Sequence, residues 1–331
     1  MTRAFITGIS GQDGSYLADL LTDEHAEIHG LIRAWDDDAR KLTERHPGIA
    51  LHEGDLADTS NLARLIEEVQ PDEIYNLAGI SSVAQSWKVP VLTGQVTGVA
   101  VAGILEAALR LSESSGRPVR VLQASSAEIF GRPTESPQSE STPIAPISPY
   151  GAAKAYAHRM VQLYRSRGLA ASNCILYNHE SPRRPETFVT RKITAAAARI
   201  AAGRQDVLEL GNLDVERDWG WAPDYVEAMV RAIRHDASDD YVIATGEGHT
   251  VADFVAAAFA AAGVPDWSSR VRVNPEFVRP TESSSMLGDW SKARSELGWS
   301  PTVTFQALVA SMVAEDVRLV EEGQWADRIR P

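Results

Sequence analysis

The chain carries a single cysteine, Cys174, in 331 residues. No internal disulfide can form, which fits a reducing compartment. Positive charge is in deficit: 32 Lys and Arg stand against 45 Asp and Glu, giving a formal net charge of −13. That balance argues against nucleic acid or an anionic membrane as a general partner, although a local cluster of cations can still receive an anionic ligand. Long apolar runs are also missing. The longest, near Val251 to Val264, is alanine-rich and broken by Asp253, so it reads as an amphipathic or buried helix and not as a membrane span. The start, Met1-Thr2-Arg3-Ala4-Phe5-Ile6-Thr7-Gly8, runs straight into a motif with no room for a signal peptide, so the expected location is the cytoplasm. No metal site, internal repeat or low-complexity linker is expected. Hydrophobic residues make up 44%, enough for a sizeable core in one large domain or two small ones.

What is present begins with a strand, Ala4 to Thr7, that turns through Gly8-Ile9-Ser10-Gly11-Gln12-Asp13-Gly14 into a helix. Glycines at such a turn let the backbone approach a pyrophosphate at the helix N-terminus. The spacing is Gly-x-x-Gly-x-x-Gly, not the Gly-x-Gly-x-x-Gly of the common dehydrogenases. A second strand, Glu27 to Ile32, ends at Arg33, where an acidic residue would accept the ribose 2′-hydroxyl of NAD. An arginine there can pair a 2′-phosphate, which favours NADP, with NAD the other possibility. Asp36-Asp37-Asp38 reads as a solvated loop or helix start. The third strand, Ile49 to Leu56, places Asp55 where an adenine amino group can be bound. The fourth, Glu73 to Gly79, ends in small residues that let a nicotinamide pass close to the backbone. The fifth, Val119 to Ser126, is followed by Glu128. Strand alternating with helix implies an α/β fold, a parallel sheet with helices on both faces.

Ser148-Pro149-Tyr150-Gly151-Ala152-Ala153-Lys154 then opens a helix, with Ser148 as N-cap and Pro149 at the first helical position. Tyr150 and Lys154 share a face at i and i+4. A lysine ammonium a few Å away favours the phenolate and brings a tyrosine toward the range of a working base. Further on, Arg183, Arg184, Arg191 and Lys192 concentrate cations near a strand end, an arrangement suited to a nucleotide diphosphate.

In order, the glycine turn, Asp55-Leu56, Asn76-Leu77-Ala78-Gly79, Ser126 and the Tyr150/Lys154 pair resemble the extended short-chain dehydrogenase/reductase family. Gly11 to Ala18, Leu176 to Arg184, Glu186 to Ile193, Leu210 to Asp214, Arg217 to Gly220, Asp224 to Ala228 and Val278 to Glu282 look closely like its GDP-mannose 4,6-dehydratase branch, over nearly the whole chain. The resemblance implies a Rossmann-type doubly wound parallel sheet with a smaller C-terminal α/β substrate-binding lobe. Residues 1–177 plus about 213–246 would form the cofactor domain, with Tyr241 to Ala244 returning to its sheet. Residues about 178–212 plus 247–331 would form the lobe.

The same resemblance implies the site. Gly8, Ser10, Gly11, Gln12, Asp13 and Gly14 would hold the dinucleotide phosphates, and Arg33 the ribose. Asp55 and Leu56 would face the adenine. Leu77, Ala78, Gly79 and Ser81 would line the nicotinamide side, joined by Tyr150, Lys154, His179 and Arg184. GDP-mannose or a close GDP-sugar would meet Ser81, Ser126, Glu128, Asn178, Val189 and Lys192. Gly211, Arg217, Arg279 and Glu282 would complete that side. Ser126, Glu128, Tyr150 and Lys154 would be catalytic. Tyr150 would take the proton of the mannose 4-hydroxyl, Ser126 would position that oxygen, and Glu128 would remove the proton at C5. A homodimer or homotetramer is implied. The chain departs from the family after Arg33, where Ala34-Trp35-Asp36 stands in place of a second arginine and serines on a longer loop. It also departs at Ile80, Ser82 and Leu92. Three readings follow: this dehydratase, a related GDP-sugar epimerase or 4-keto reductase, and a non-catalytic nucleotide-binding sensor or scaffold.

Overall fold

The computed structural model describes residues 1–277, 283 and 285–324. Strand and helix alternate from the start: β1 (Arg3–Thr7), α1 (Gln12–Asp23), β2 (Glu27–Ile32), α2 (Asp37–Arg45), β3 (Ala50–Glu53), α3 (Thr59–Val69) and β4 (Glu73–Asn76). After α4 (Val83–Lys88), α5 (Pro90–Thr93) runs through a π turn (Gly94–Val99) into α6 (Ala100–Ser115). Then come β5 (Arg120–Ser126), α7 (Pro149–Ser166), β6 (Ala170–Leu176), β7 (Asn178–Glu180), α8 (Val189–Ala201), β8 (Leu208–Leu210), β9 (Glu216–Trp221) and α9 (Ala222–Arg234). The chain closes with β10 (Asp240–Ile243), β11 (Gly248–Thr250), α10 (Val251–Ala261), β12 (Val271–Val273), β13 (Ser285–Met286), α11 (Ser291–Leu297) and α12 (Phe305–Glu321).

Local chemistry sets the helix starts. Asp36 caps α2 by accepting from the Ala39 N–H at 2.9 Å, so the Asp36-Asp37-Asp38 run is a helix start. Asp58 caps α3 in the same way, and Thr250 and Asp253 form a reciprocal capping box on α10. Ser148 caps α7 through the Gly151 N–H at 3.0 Å, with Pro149 in the first turn.

Seven parallel strands form the main sheet in the order β10-β6-β5-β4-β1-β2-β3. Its inner strands are buried on both faces, as a parallel sheet between helices requires. One face packs against α1, α9 and α11 through Leu17, Leu21, Tyr225, Met229, Ala293 and Leu297. The other packs against α3, α6 and α7 through Leu62, Ile66, Ile104, Leu105, Ala157 and Val161. Strand order reverses beside β1, so a crevice opens at the carboxyl ends of β1 and β4.

The continuous helix from Pro90 to Ser115 exceeds the 251–264 segment in length and is apolar enough to span a bilayer by composition alone. Its Val101, Ile104, Leu105 and Ala108 are nonetheless packed into the sheet's core. The second unit joins α8, α10 and α12 around Ile193, Trp219, Phe254, Phe259 and Phe305. Two small sheets flank it. One runs β11-β9-β13 with β7 also on β9, and the other pairs β8 with β12. The chain crosses between the units repeatedly: β9 lies in a small sheet, whereas Ala293, Leu297 and Trp299 join the core of the large one.

Candidate active site

At the glycine turn, Gly8 has φ +71°, and a Cβ there would stand 3.0 Å from the Ala78 backbone. A Cβ on Gly14 would meet the Gly8 carbonyl at 2.3 Å. Helix α1 starts on Gly11 with no side-chain cap, so its first-turn N–H groups are left facing the crevice. This backbone fits the pyrophosphate of a dinucleotide. Ser10 is half-buried in the same turn. The Gln12 side chain is spent inside the protein. It donates to the His179 carbonyl and to Asp13, both at 3.1 Å, and accepts from Ser181 at 2.8 Å.

Farther along the crevice, Arg33 is exposed at the end of β2 and makes no hydrogen bond or ion pair among the described residues. Asp55 is exposed and accepts from the Ala57 N–H at 2.9 Å, while Leu56 packs on the edge of the α3 core. Leu77 and Ala78 follow β4, and the Ala78 N–H donates to Thr7 Oγ1 at 3.2 Å. Gly79 has φ +150°, and a Cβ there would press on Thr97, which also accepts from the Ile80 N–H at 3.0 Å. Ser81 is exposed just beyond.

The chemistry gathers where β5 meets α7. Ser126 hydrogen-bonds the Tyr150 phenol, and Glu128, Arg184 and Asp13 are the charges that act on it. Lys154 Nζ donates to the Ala124 carbonyl at 2.6 Å and lies 5.9 Å from the centre of the Tyr150 ring. Glu128 is half-buried, its N–H donating to Ser126 Oγ at 3.2 Å. A Cβ on Gly151 would stand 2.5 Å from the Glu128 carbonyl, so this glycine lets the helix carrying the tyrosine approach the carboxylate's backbone.

One sequence expectation needs correction. Burial pushes the Tyr150 phenol up to about 12, outweighing the Ser126 hydrogen bond, and Glu128 pushes the same way. Lys154 is itself brought down to about 8 by burial, with Asp13 opposing. The lysine alone therefore does not make the phenol a base at neutral pH. Nearby, burial would raise Asp13, but His179 at 2.9 Å outweighs it and holds the carboxyl at about 2. Burial lowers His179, yet the Asp13 ion pair leaves its pKa raised overall. His179 Nδ1 is 2.7 Å from the Tyr177 carbonyl, which leaves Nε2 to face Asp13.

The four clustered cations do not form one patch. Arg183 turns to Asp19 at 2.6 Å and to the face of Tyr16. Arg191 is buried against Asp316 at 2.6 Å, a pair whose breaking would cost about 3–5 kcal/mol. Arg184 lies 3.2 Å from Glu180 and stacks on Phe188, at the edge of the Tyr150 group. Lys192 faces an open cleft. It sits 4.0 Å from the centre of the Phe277 ring in a cleft of about 360 Å³ shared with Glu186, Arg199, Leu208, Glu209 and Arg272. Arg199 on α8 and Arg272 on β12 carry no sequence signal for this role; Arg272 comes beside β8 only through the fold.

Of the other lobe residues, Asn178 starts β7 opposite Trp219, and Val189 starts α8 at the edge of the lobe core. Gly211 follows β8. Arg217 is buried in β9 and donates to the Ser283 carbonyl at 3.0 Å. Arg279 and Glu282 lie outside the described residues. Among the described residues no group of His, Cys, Asp and Glu is arranged to hold a metal ion.

Comparison with known proteins gives the family and the fold. The family model for GDP-mannose 4,6 dehydratase matches residues 5–312. GDP-mannose 4,6 dehydratase 1 of Arabidopsis thaliana is 45% identical, over 96% of this chain and 90% of the relative. In fold, the chain is similar to UDP-glucose 4-epimerase of Thermotoga maritima with UDP-glucose, with TM-score 0.85 and 21% identity, covering 96% of this chain and all of that one. It is also similar to the Thermus thermophilus UDP-glucose 4-epimerase in complex with NAD, with TM-score 0.82 and 26% identity, covering 95% and 99% of the two chains.

Proposed function

The chain belongs to the GDP-mannose 4,6-dehydratase family, and from that premise we infer that it converts GDP-D-mannose to GDP-4-keto-6-deoxy-D-mannose. The observation that carries the reading is one Ser126–Glu128–Tyr150–Lys154 group at the carboxyl end of β5 beside a dinucleotide cradle. A related epimerase or 4-keto reductase is not favoured.

The roles we propose follow from what each group can do. The glycine turn from Gly8 to Gly14 would hold a nicotinamide dinucleotide, which would supply a hydride acceptor for C4, a hydride donor for C6 and, in its oxidised form, positive charge to the crevice. Tyr150 takes the proton of the 4-hydroxyl, and the Ser126 hydroxyl orients that oxygen. The Lys154 ammonium, fixed on the Ala124 carbonyl, supports the phenolate. The C4 ketone acidifies the C5 hydrogen, and the half-buried Glu128 carboxylate removes it. The C6 hydroxyl then leaves as water with the proton Glu128 has taken, and C5 receives a solvent proton when C6 is reduced. Lys192 and Arg272 in the lobe cleft suit the GDP moiety, with Arg199 beside them paired to Glu186. The experiment that tests this reading is incubation of purified protein with GDP-mannose and no added reductant. Mass analysis should find a product lighter by one water; unchanged mass, or conversion only when reductant is supplied, would refute it.

Within the nicotinamide class, we propose NADP over NAD. The support is the free guanidinium of Arg33 at the end of β2. We also propose self-association through α5–α6 and α7. Tyr156 and Leu163, seven apart on α7, are 45% and 59% exposed, and Val91 and Val99 on the adjacent helix are 73% and 53% exposed. Sedimentation of a monomer at micromolar concentration would contradict this.

A further inference from the structure

Tyr150, Lys154 and His158 follow one another at i+4 spacing, so α7 presents all three on one face. Each has a partner in the last three residues of β5. Tyr150 meets the Ser126 hydroxyl, Lys154 Nζ meets the Ala124 carbonyl at 2.6 Å, and His158 Nδ1 lies 3.0 Å from Ser125 Oγ. On the far side of the imidazole, Nε2 is 3.3 Å from Asp240 Oδ2 and 3.1 Å from Gln162 Nε2. Asp240 belongs to β10 and is held in turn by Arg165 at 2.6 Å and Asn173 at 2.8 Å.

A serine, histidine and aspartate in a row invite comparison with a hydrolase. Ser125 and His158 are each 2% exposed and Asp240 is 6% exposed, so no substrate reaches that hydroxyl. The position points to a different task. Between Tyr150 and His158 the buried positions of α7 other than Lys154 are alanine and glycine, Gly151, Ala153, Ala155 and Ala157, while Val161 and Tyr164 are buried farther along the helix. Small apolar side chains fill space without fixing how a helix is rotated, whereas hydrogen bonds weaken steeply with angle. Over the turns from Tyr150 to His158 the polar contacts to β5 are therefore the directional ones, while Val161 and Tyr164 anchor the later turns. Two of these polar contacts belong to the reacting group itself. The third, through His158, is braced from a separate strand and is independent of the chemistry.

We propose that His158, held by Asp240, is a positioning residue for the reaction: it pins α7 to Ser125 and so fixes the rotation at which Lys154 and Tyr150 reach their places. The proposal rests on Tyr150 being the base. The charged groups around the imidazole are Asp240 and, through it, Arg165. Those that act on the phenol are Glu128, Arg184 and Asp13.

Full-length variants carrying their cofactor test it. In His158→Leu and Ser125→Ala the lysine is held less well, supports the phenolate less, and the acid limb of kcat should move to higher pH. A shift of about one unit means a roughly tenfold loss at neutral pH, with KM for GDP-mannose within about twofold of wild type. His158→Asn, whose amide reaches the place of Nδ1, should restore most of the loss. His158→Gln, which mimics only Nε2, should not. If His158→Leu fails to fold, Ser125→Ala decides alone, since it cuts the contact from the strand side and leaves Asp240 untouched. Folded variants with lower thermal stability and an unmoved acid limb would overturn the proposal. Tyr150→Phe, measured alongside, separates the two failures: near-normal turnover there would overturn the assignment of the base itself.

Discussion

Lys154 lies one helical turn from Tyr150, its Nζ 5.9 Å from the centre of the phenol ring and bonded to the Ala124 carbonyl at 2.6 Å. Both side chains are buried, and burial pushes them in opposite directions: the phenol up to about 12 and the ammonium down to about 8. The pair is thus poised so that added positive charge in the crevice has a large effect on a group that is otherwise neutral.

Tyr150→Phe keeps the ring and removes the proton acceptor. Turnover should fall by roughly 10²–10⁴ while affinity for GDP-mannose, read by calorimetry, changes little. Near-normal kcat would contradict the assignment.

Glu128→Gln keeps size and an acceptor oxygen but cannot take the C5 proton. Oxidation at C4 should proceed and elimination should stall, so absorbance of reduced nicotinamide builds up on the protein. Tyr150→Phe should show no such rise. Formation of the 4-keto-6-deoxy product at the wild-type rate by Glu128→Gln would assign the base elsewhere.

Arg33 is exposed at the strand end and makes no ion pair among the described residues. Arg33→Glu should repel a 2′-phosphate and accept a ribose hydroxyl, shifting the NADP/NAD affinity ratio toward NAD by at least about tenfold. Titration of both dinucleotides, after removal of any that copurifies, checks this; an unchanged ratio would show that Arg33 does not set the choice.

Asp13 and His179 tie the glycine turn to the start of the lobe across 2.9 Å. Asp13 is depressed from 3.8 to about 2, so its contribution to stability is present above pH 3.8 and lost as pH falls through about 2. The His179 pKa is raised above 6.5, so its contribution is complete below 6.5 and lost as pH rises through the folded value. The melting-temperature gap between wild type and His179→Gln should therefore be widest near pH 5 and narrower at pH 9. A gap that grows with pH would contradict the ion pair.

Much of this was readable in the chain. β2 follows the boundaries expected from its apolar run, and the Ser148 cap and Tyr150/Lys154 face come directly from local rules. What escaped depends on long-range partners. Arg183 and Arg191 look free in sequence, yet Asp19 and Asp316, 164 and 125 residues away, claim them. The Lys192 cleft exists only once β8 pairs with β12. The depth at which α7 is buried, which decides the Tyr150 titration, is set by packing that no spacing rule reports. His158 gave no signal at all, because Ser125 and Asp240 reach it from two separate strands.

The central claim is that one hydride leaves C4 and returns to C6 of the same sugar while Tyr150 and Glu128 move the protons. GDP-mannose carrying deuterium at C4, turned over without added reductant, tests it most directly. The account expects the deuterium at C6 of the 4-keto-6-deoxy product, with solvent hydrogen at C5. Deuterium found again at C4, or conversion that depends on added reductant, would contradict it.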